Sequence, residues 1–167
     1  MKRLTVLRHG DAAPALPGGE DFDRPLSPRG RQQARRVGHD FKARGLSFDL
    51  VLASTARRVR ETLDGVAETY DALPIRFEEQ LYLASERLLL DQIRATPDEV
   101  ESLLIVGHNP GLERLVVDLA RDDKNGLRAR VIADFPPAAV AILERESWRD
   151  ADRAGADLIR LIVPSVD

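Results

Sequence analysis

Short apolar runs alternate with stretches of helical periodicity along most of this 167-residue chain. Leu4-Thr5-Val6-Leu7 is too short for a helix and reads as a buried strand. Asp49 to Ala53 and Ser102 to Val106 repeat that pattern, and Pro74-Ile75-Arg76-Phe77 is a shorter version of it. Ala138 to Leu143 and Asp157 to Val163 read as two final strands joined by a polar connection. Between the runs, apolar residues recur on one helical face. Ala34, Val37 and Phe41 form one stripe, and Val59, Leu63 and Val66 a second. Leu88, Leu89 and Ile93, with Gln92, form a third, and Leu112, Leu115, Val116 and Leu119 a fourth.

Boundary signals agree with these stripes. Ser27-Pro28 offers an N-cap followed by proline at the first helical position, and Arg44-Gly45 a basic last turn and a glycine stop. Ser54 is expected to cap a helix running to about Tyr70, and Ser85 the third helix, which Thr96-Pro97 ends. Asn109-Pro110 reads as another cap-and-proline pair. Residues 11–26, rich in Ala, Pro, Gly and Asp, read as a loop passing over the end of the first strand, and 122–126 as a polar turn.

Alternating strands and helices predict a three-layer α/β fold, one domain over residues 1–167, with a mostly parallel central sheet and helices on both faces. The order of the last two strands stays open. Ligands of such sheets sit outside the carboxyl ends of the strands. Arg8-His9, Ser54 and Gly107-His108 all fall there, so three strand ends point at one crevice.

Composition narrows the chemistry. The chain has no cysteine, which removes disulfides, thiolate metal sites and a cysteine nucleophile. A net charge of −3 argues against broad affinity for nucleic acid or anionic membranes, while leaving room for a local basic pocket. No long apolar stretch opens the chain, so neither a signal peptide nor a membrane span is expected, and the expected location is the cytoplasm.

Only three histidines occur, and two of them, His9 and His108, stand beside glycines at strand ends. His39 sits mid-helix with no supporting motif and receives no role. Arg8 and Arg58 offer guanidinium forks that match phosphate oxygens. One imidazole can attack phosphorus and split a hard displacement into two easier ones. The other, once protonated, can donate to an equatorial oxygen where charge accumulates. Taken singly each element has a bland reading: a hydrogen-bonded structural histidine, a solvated arginine-rich helix face, a helix start. Their recurrence at consecutive strand ends points to a phosphate site, and the cations it needs come from side chains, with no metal and no cofactor.

Arg8-His9-Gly10, Arg24-Pro25-Leu26-Ser27-x-x-Gly30, Ser54-x-x-x-Arg58-x-x-x-Thr62 and Gly107-His108-Asn109-Pro110-Gly111 together resemble the histidine phosphatase superfamily, in particular its SixA-type phosphohistidine phosphatase branch. The resemblance runs from Leu4 to about Leu119 and implies a phosphoglycerate-mutase-like fold. It also implies that His9 is the phosphorylated nucleophile, with Arg8, Arg58 and His108 completing the phosphate pocket. Alignment on Ser54 and Thr62 selects Arg58 over Arg57, which would stand behind it. Val59 replaces the family's usual alanine.

Larger members of this family carry an acid that protonates the leaving oxygen. Here the corresponding segment offers Glu78, Glu79 and Glu86 without a motif, and Asp11 stands near His9, so Asp11 and Glu79 are the candidate proton donors. An alkoxide is about as poor a leaving group as hydroxide, whose parent water has a pKa of ~15.7, and needs an acid. Imidazole, whose conjugate acid has a pKa of about 6.5, needs little help. Phosphohistidine is therefore the expected substrate, which the resemblance implies is carried on a signalling protein of the histidine phosphotransfer type, with a small phosphate ester as the alternative and a non-catalytic phosphate-binding module as a third reading. With little chain between Leu119 and Ala138 to build a lid, an open pocket and a monomer are expected.

Overall fold

A computed structural model describes residues 1–70, 72–121 and 125–166. Its strands are β1 (Lys2–Arg8), β2 (Leu50–Ser54), β3 (Ile75–Glu78), β4 (Ser102–Gly107), β5 (Val140–Arg145) and β6 (Asp157–Ile162). Its helices are α1 (Pro28–Ala43), α2 (Arg57–Ala67), α3 (Glu86–Arg94), α4 (Gly111–Leu119) and α5 (Leu127–Ala133). The sheet runs β3-β2-β4-β1-β5-β6. The β3–β2, β2–β4 and β4–β1 pairings are parallel, and β5 runs antiparallel to both β1 and β6, which closes the question of the last two strands.

Strand alternation divides the core into two layers. Leu4, Val6, Leu52, Leu103, Ile105, Ala141 and Leu143 face one side, where α3, α4 and α5 pack through Leu89, Ile93, Leu112, Leu115, Val116 and Val131. Leu7, Val51, Ala53, Leu104, Val106, Val140 and Ile142 face the other, against Val37 and Phe41 of α1 and Val59, Leu63 and Val66 of α2. Helices thus cover both faces, and the inner strands read as continuous apolar runs because neither face meets water.

Ser27 and Ser85 cap as their positions predict, accepting from Gly30 N at 3.0 Å and Leu88 N at 3.2 Å. Gly45, at φ 67°, turns the chain out of α1. Two expected caps fail. Ser54 belongs to β2, and α2 begins at Arg57 with no side-chain cap. Asn109-Pro110 is a cis peptide, and α4 starts at Gly111 after Pro110. In both cases the polar side chain is claimed by a distant partner, described below. The second helix ends at Ala67, three residues short of Tyr70. Residues 122–124 of the expected polar turn lie outside the described residues.

Two segments read as bare connection carry structure. Residues 11–26 bridge back on themselves, Ala12 to Leu26, and hold a 3-10 turn at Asp21–Asp23. The stretch from Leu119 to Ala138 contains α5 and then brings Phe135 and Pro137 to the carboxyl ends of the strands. No helix among the described residues is long and apolar enough to cross a membrane.

Candidate active site

Register places the three strand ends together: Arg8 of β1 lies beside Gly107 of β4, and Ala53 of β2 beside Val106. His9 N donates to Gly107 O at 3.1 Å, so the two histidine-bearing turns leave the sheet side by side. The imidazole centroids are 5.3 Å apart. Arg8, His9, Arg58 and His108 line one cleft of about 390 Å³, together with Asp11, Asp21, Arg24 and Asn109. The four residues singled out from the sequence are thus brought to one place.

Each is held by a definable partner. His9 Nδ1 lies 2.7 Å from Gly10 O. A carbonyl only accepts, so Nδ1 carries the proton and the Nε2 lone pair is free. Gly10 N donates to Thr62 Oγ1 at 3.0 Å, and that hydroxyl donates to Arg58 O at 2.7 Å. Thr62 therefore ties the His9–Gly10 turn to the helix that carries Arg58, which gives the Arg58–Thr62 spacing its purpose. Gly10 and Gly30 permit this closeness: a Cβ on Gly30 would stand 2.0 Å from Asp11 O, and one on Gly10 2.8 Å from Gly30 O.

Arg58 is 3% exposed although it lies in the first turn of α2. Its Nη1 donates to Asp21 O at 2.8 Å and its Nη2 to Asp21 Oδ2 at 3.1 Å. Nη2 also faces His108 Nδ1 at 3.3 Å. Guanidinium only donates, so His108 Nδ1 is bare and its Nε2–H donates to Ser54 Oγ at 2.8 Å. Ser54 Oγ also accepts from Ala56 N at 3.2 Å, so it holds both His108 and the entry to α2, whose cap position is Ala56. Arg57, by contrast, is half exposed and pairs with Glu61 at 2.9 Å.

Charge follows from burial. Desolvation first, then the neighbouring His9, then Arg58 and Arg8, lower His108 to about 3, against an opposing pull from Asp21. Burial first, then Arg58, Arg8 and Arg24, lowers His9 to about 4, against an opposing pull from its Gly10 hydrogen bond. Both imidazoles are therefore neutral near pH 7. That suits His9 as a nucleophile. It also means that His108 becomes a cationic donor only when an anion raises its affinity for a proton.

Arg8 Nη1 donates to Phe135 O at 3.1 Å, and Asn109 Nδ2 donates to the same carbonyl at 2.8 Å. Asn109 is thereby drawn away from capping α4. Arg8 Nε and Asn109 Oδ1 are buried with no hydrogen-bond partner. An orphaned guanidinium N–H beside an uncharged imidazole is an invitation to an anion.

The candidate proton donors separate. Asp11 lines the cleft, with Oδ2 accepting from Ser27 Oγ at 2.6 Å. Glu79 is exposed and is not among the lining residues, Glu78 pairs with Arg76 at 2.9 Å, and Glu86, pushed up to about 7 first by its hydrogen bond to Asp118, is also not among them. The carboxylate that engages the site most closely is Asp21, which the sequence reading did not single out. Its Oδ2 accepts from Tyr82 Oη at 2.5 Å and its Oδ1 pairs with Arg24 at 3.2 Å. The Tyr82 bond, then the two arginines, hold it at about 2. Arg24 had appeared only as part of a motif, and here it supplies the cleft's third guanidinium.

Residues 4–82 match the family model of the histidine phosphatase superfamily, branch 1. An uncharacterized Mycobacterium tuberculosis protein is 36% identical over 162 residues, 95% of this chain and 99% of that protein. The chain belongs to the histidine phosphatase superfamily. Among solved structures it resembles the protein provisionally assigned as phosphohistidine phosphatase SixA of Agrobacterium tumefaciens, at 30% identity and TM-score 0.83 over 98% of each chain. Another provisional SixA, from Nakamurella multipartitia, is 28% identical with TM-score 0.87, covering 99% of this chain and 97% of that one. Membership of this superfamily gives the cleft its phosphate-handling context and agrees with the mixed α/β sheet.

Proposed function

We propose that this protein hydrolyses phosphohistidine on another protein through a phosphorylated His9. His9 Nε2 attacks phosphorus while the P–N bond to the substrate imidazole breaks, its electron pair returning to that nitrogen. With the substrate ring's other nitrogen protonated, the leaving group is neutral imidazole. Water then attacks phosphorus, the P–Nε2 bond breaks, and phosphate leaves with its surplus proton going to solvent. Arg8, Arg58 and a phosphate-induced His108 cation balance the equatorial oxygens in both steps.

One observation carries the choice of bond: the carboxylate lodged most firmly in the cleft, Asp21, cannot serve as an acid. It is held at about 2 and accepts from Arg58, Arg24 and Tyr82. Asp11, the remaining carboxylate of the cleft, already accepts the Ser27 hydroxyl. An alkoxide leaving group would need a donor that these carboxylates are badly placed to provide, whereas imidazole does not need one. The SixA-type neighbours, named for phosphohistidine, support the same substrate class. A histidine phosphotransfer domain is the partner this reading favours.

Initial rates with phosphoramidate, a phosphohistidine peptide and an alkyl phosphate decide it. The two P–N substrates should turn over at least a hundredfold faster, activity should survive EDTA, and a short pulse should leave acid-labile phosphate on wild-type protein and none on His9→Ala. Faster hydrolysis of the alkyl ester would establish the small-molecule phosphatase reading instead. Phosphate binding with neither labelling nor turnover would establish a binding module.

A further inference from the structure

A second concentration of unpaired cations lies at the other end of the sheet. Arg3, Arg44 and Arg160 line a groove of about 350 Å³ whose remaining walls are Leu46, Ile142 and Ile159. Arg3 opens β1, five residues before Arg8, which puts the groove about 16 Å along the strand from the catalytic cleft. Cross-strand register stacks Arg160 of β6 against Ile142 of β5. Arg44 and Leu46 flank the left-handed Gly45 that ends α1.

None of these three arginines enters a salt bridge among the described residues. Glu144 stands directly across from Arg3 in the ladder without forming an ion pair with it. Arg3 Nε is moreover buried with no hydrogen-bond partner. Some of the protein's other arginines are matched to carboxylates, as at Arg35–Glu68, Arg57–Glu61 and Arg121–Asp157, whereas this groove has no carboxylate in its lining. In a chain of net charge −3, three guanidinium groups and no carboxylate line this one concavity, and one of them holds a buried N–H without an acceptor, so the groove is a local site of positive charge.

We propose that this groove is a binding site for an organic phosphate that carries at least two negative charges on an apolar or aromatic body. Guanidinium forks pair with phosphate oxygens and stack on planar rings, while Leu46, Ile142 and Ile159 receive the uncharged part. The volume falls at the lower end of the roughly 300–1,000 Å³ common for small-molecule sites. The site does not depend on the catalytic reading, because it shares no residue with the catalytic cleft.

Isothermal titration with α,β-methylene ADP, pyrophosphate and adenosine tests it, using wild type, Arg44→Ala/Arg160→Ala and Arg58→Ala. The two groove arginines are exposed, so their replacement should leave the thermal midpoint unchanged, and circular dichroism checks this. The nucleotide analogue should bind wild type at one site, at least tenfold more tightly than either pyrophosphate or adenosine. The double groove variant should weaken that binding at least tenfold, and Arg58→Ala should leave it within twofold. No saturable binding, equal affinity for pyrophosphate, or loss in Arg58→Ala with retention in the groove variant would each overturn the proposal. Failure here leaves the P–N hydrolysis readout untouched, and the converse also holds.

Discussion

Acid should unfold this protein through the two histidines of its cleft, and the size of the effect follows from their burial. In the folded state burial and neighbouring cations keep His9 neutral down to about 4 and His108 neutral down to about 3. In the unfolded chain each titrates near 6.5. Between those limits the unfolded state binds more protons, so stability falls as the pH drops. From pH 7.5 to pH 5 each histidine costs about 2 kcal/mol, and the pair about 4 kcal/mol. That is a large share of the roughly 5–15 kcal/mol available to a domain.

Two carboxyl groups act in other windows or with opposite sign. Asp21, held at about 2, contributes stability above the ordinary carboxylate range that is lost only below about pH 4. Glu86 is pushed up to about 7, first by its hydrogen bond to Asp118, so it gains stability as the pH falls from neutrality. Urea denaturation at four pH values between 7.5 and 5.0 should therefore compare wild type with His9→Asn/His108→Asn, in which the carboxyl contributions cancel. The free energy of wild type should fall about 4 kcal/mol further than that of the variant across this interval. Parallel curves would show that the imidazoles are solvated and chargeable in the folded protein, and the electrostatic account of a neutral nucleophile would fail.

Other substitutions probe the framework around the cleft. Arg58→Ala removes a buried phosphate ligand and should lower kcat/KM by about a hundredfold to a thousandfold, whereas Arg57→Ala breaks a surface pair with Glu61 and should cost under about 1 kcal/mol of stability and little activity. Equal losses in steady-state assays of the two would refute the assignment. Thr62→Val leaves Gly10 N without its acceptor, so a loss of about 1–3 kcal/mol by urea titration should accompany reduced His9 phosphorylation, and an unchanged midpoint would deny the tie. Gly30→Ala forces a methyl group into Asp11 O and should destabilise by at least about 1–3 kcal/mol, while a wild-type melting curve would show that the 11–30 contact is soft.

The parts of the fold legible from sequence are those whose causes are local or repeated. The apolar runs of β1 and β4 are buried on both faces, and the caps at Ser27 and Ser85 need only a backbone N–H three residues ahead. Ser54 and Asn109 carry the same local signature, yet their polar atoms go to His108, 54 residues on, and to Phe135, 26 residues on. A short-range rule cannot see a better partner arriving from across the sheet. The seven-residue helix α5 starts at a glycine with no side-chain cap, so nothing announces it. Arg8, His9, Arg58 and His108 could be singled out because glycine turns and strand ends mark them. Asp21 and Arg24 are three residues apart, but their third partner, Tyr82, arrives from 61 residues away, and no spacing announces that meeting.

That hidden group changes how the phosphate site should be understood. Arg8, Arg24 and Arg58 around two imidazoles would be a cluster of mutually repelling cations if left alone. Asp21 places one carboxylate among them, accepts from Arg24, Arg58 and Tyr82 at once, and gives Arg58 a backbone carbonyl as well. Arg58 therefore loses its rotational freedom when the protein folds, before any substrate arrives, and meets the phosphate already oriented. The carboxylate that balances these cations in the folded protein sits on the 11–26 segment, and a phosphate would bring further negative charge to the same arginines. Asp21 engages both terminal nitrogens of Arg58, Nη1 through its carbonyl and Nη2 through its carboxylate, so the strength of that contact bears on any anion this guanidinium receives. A weaker contact would leave Arg58 mobile, and a stronger one would oppose the anion it is positioned to receive.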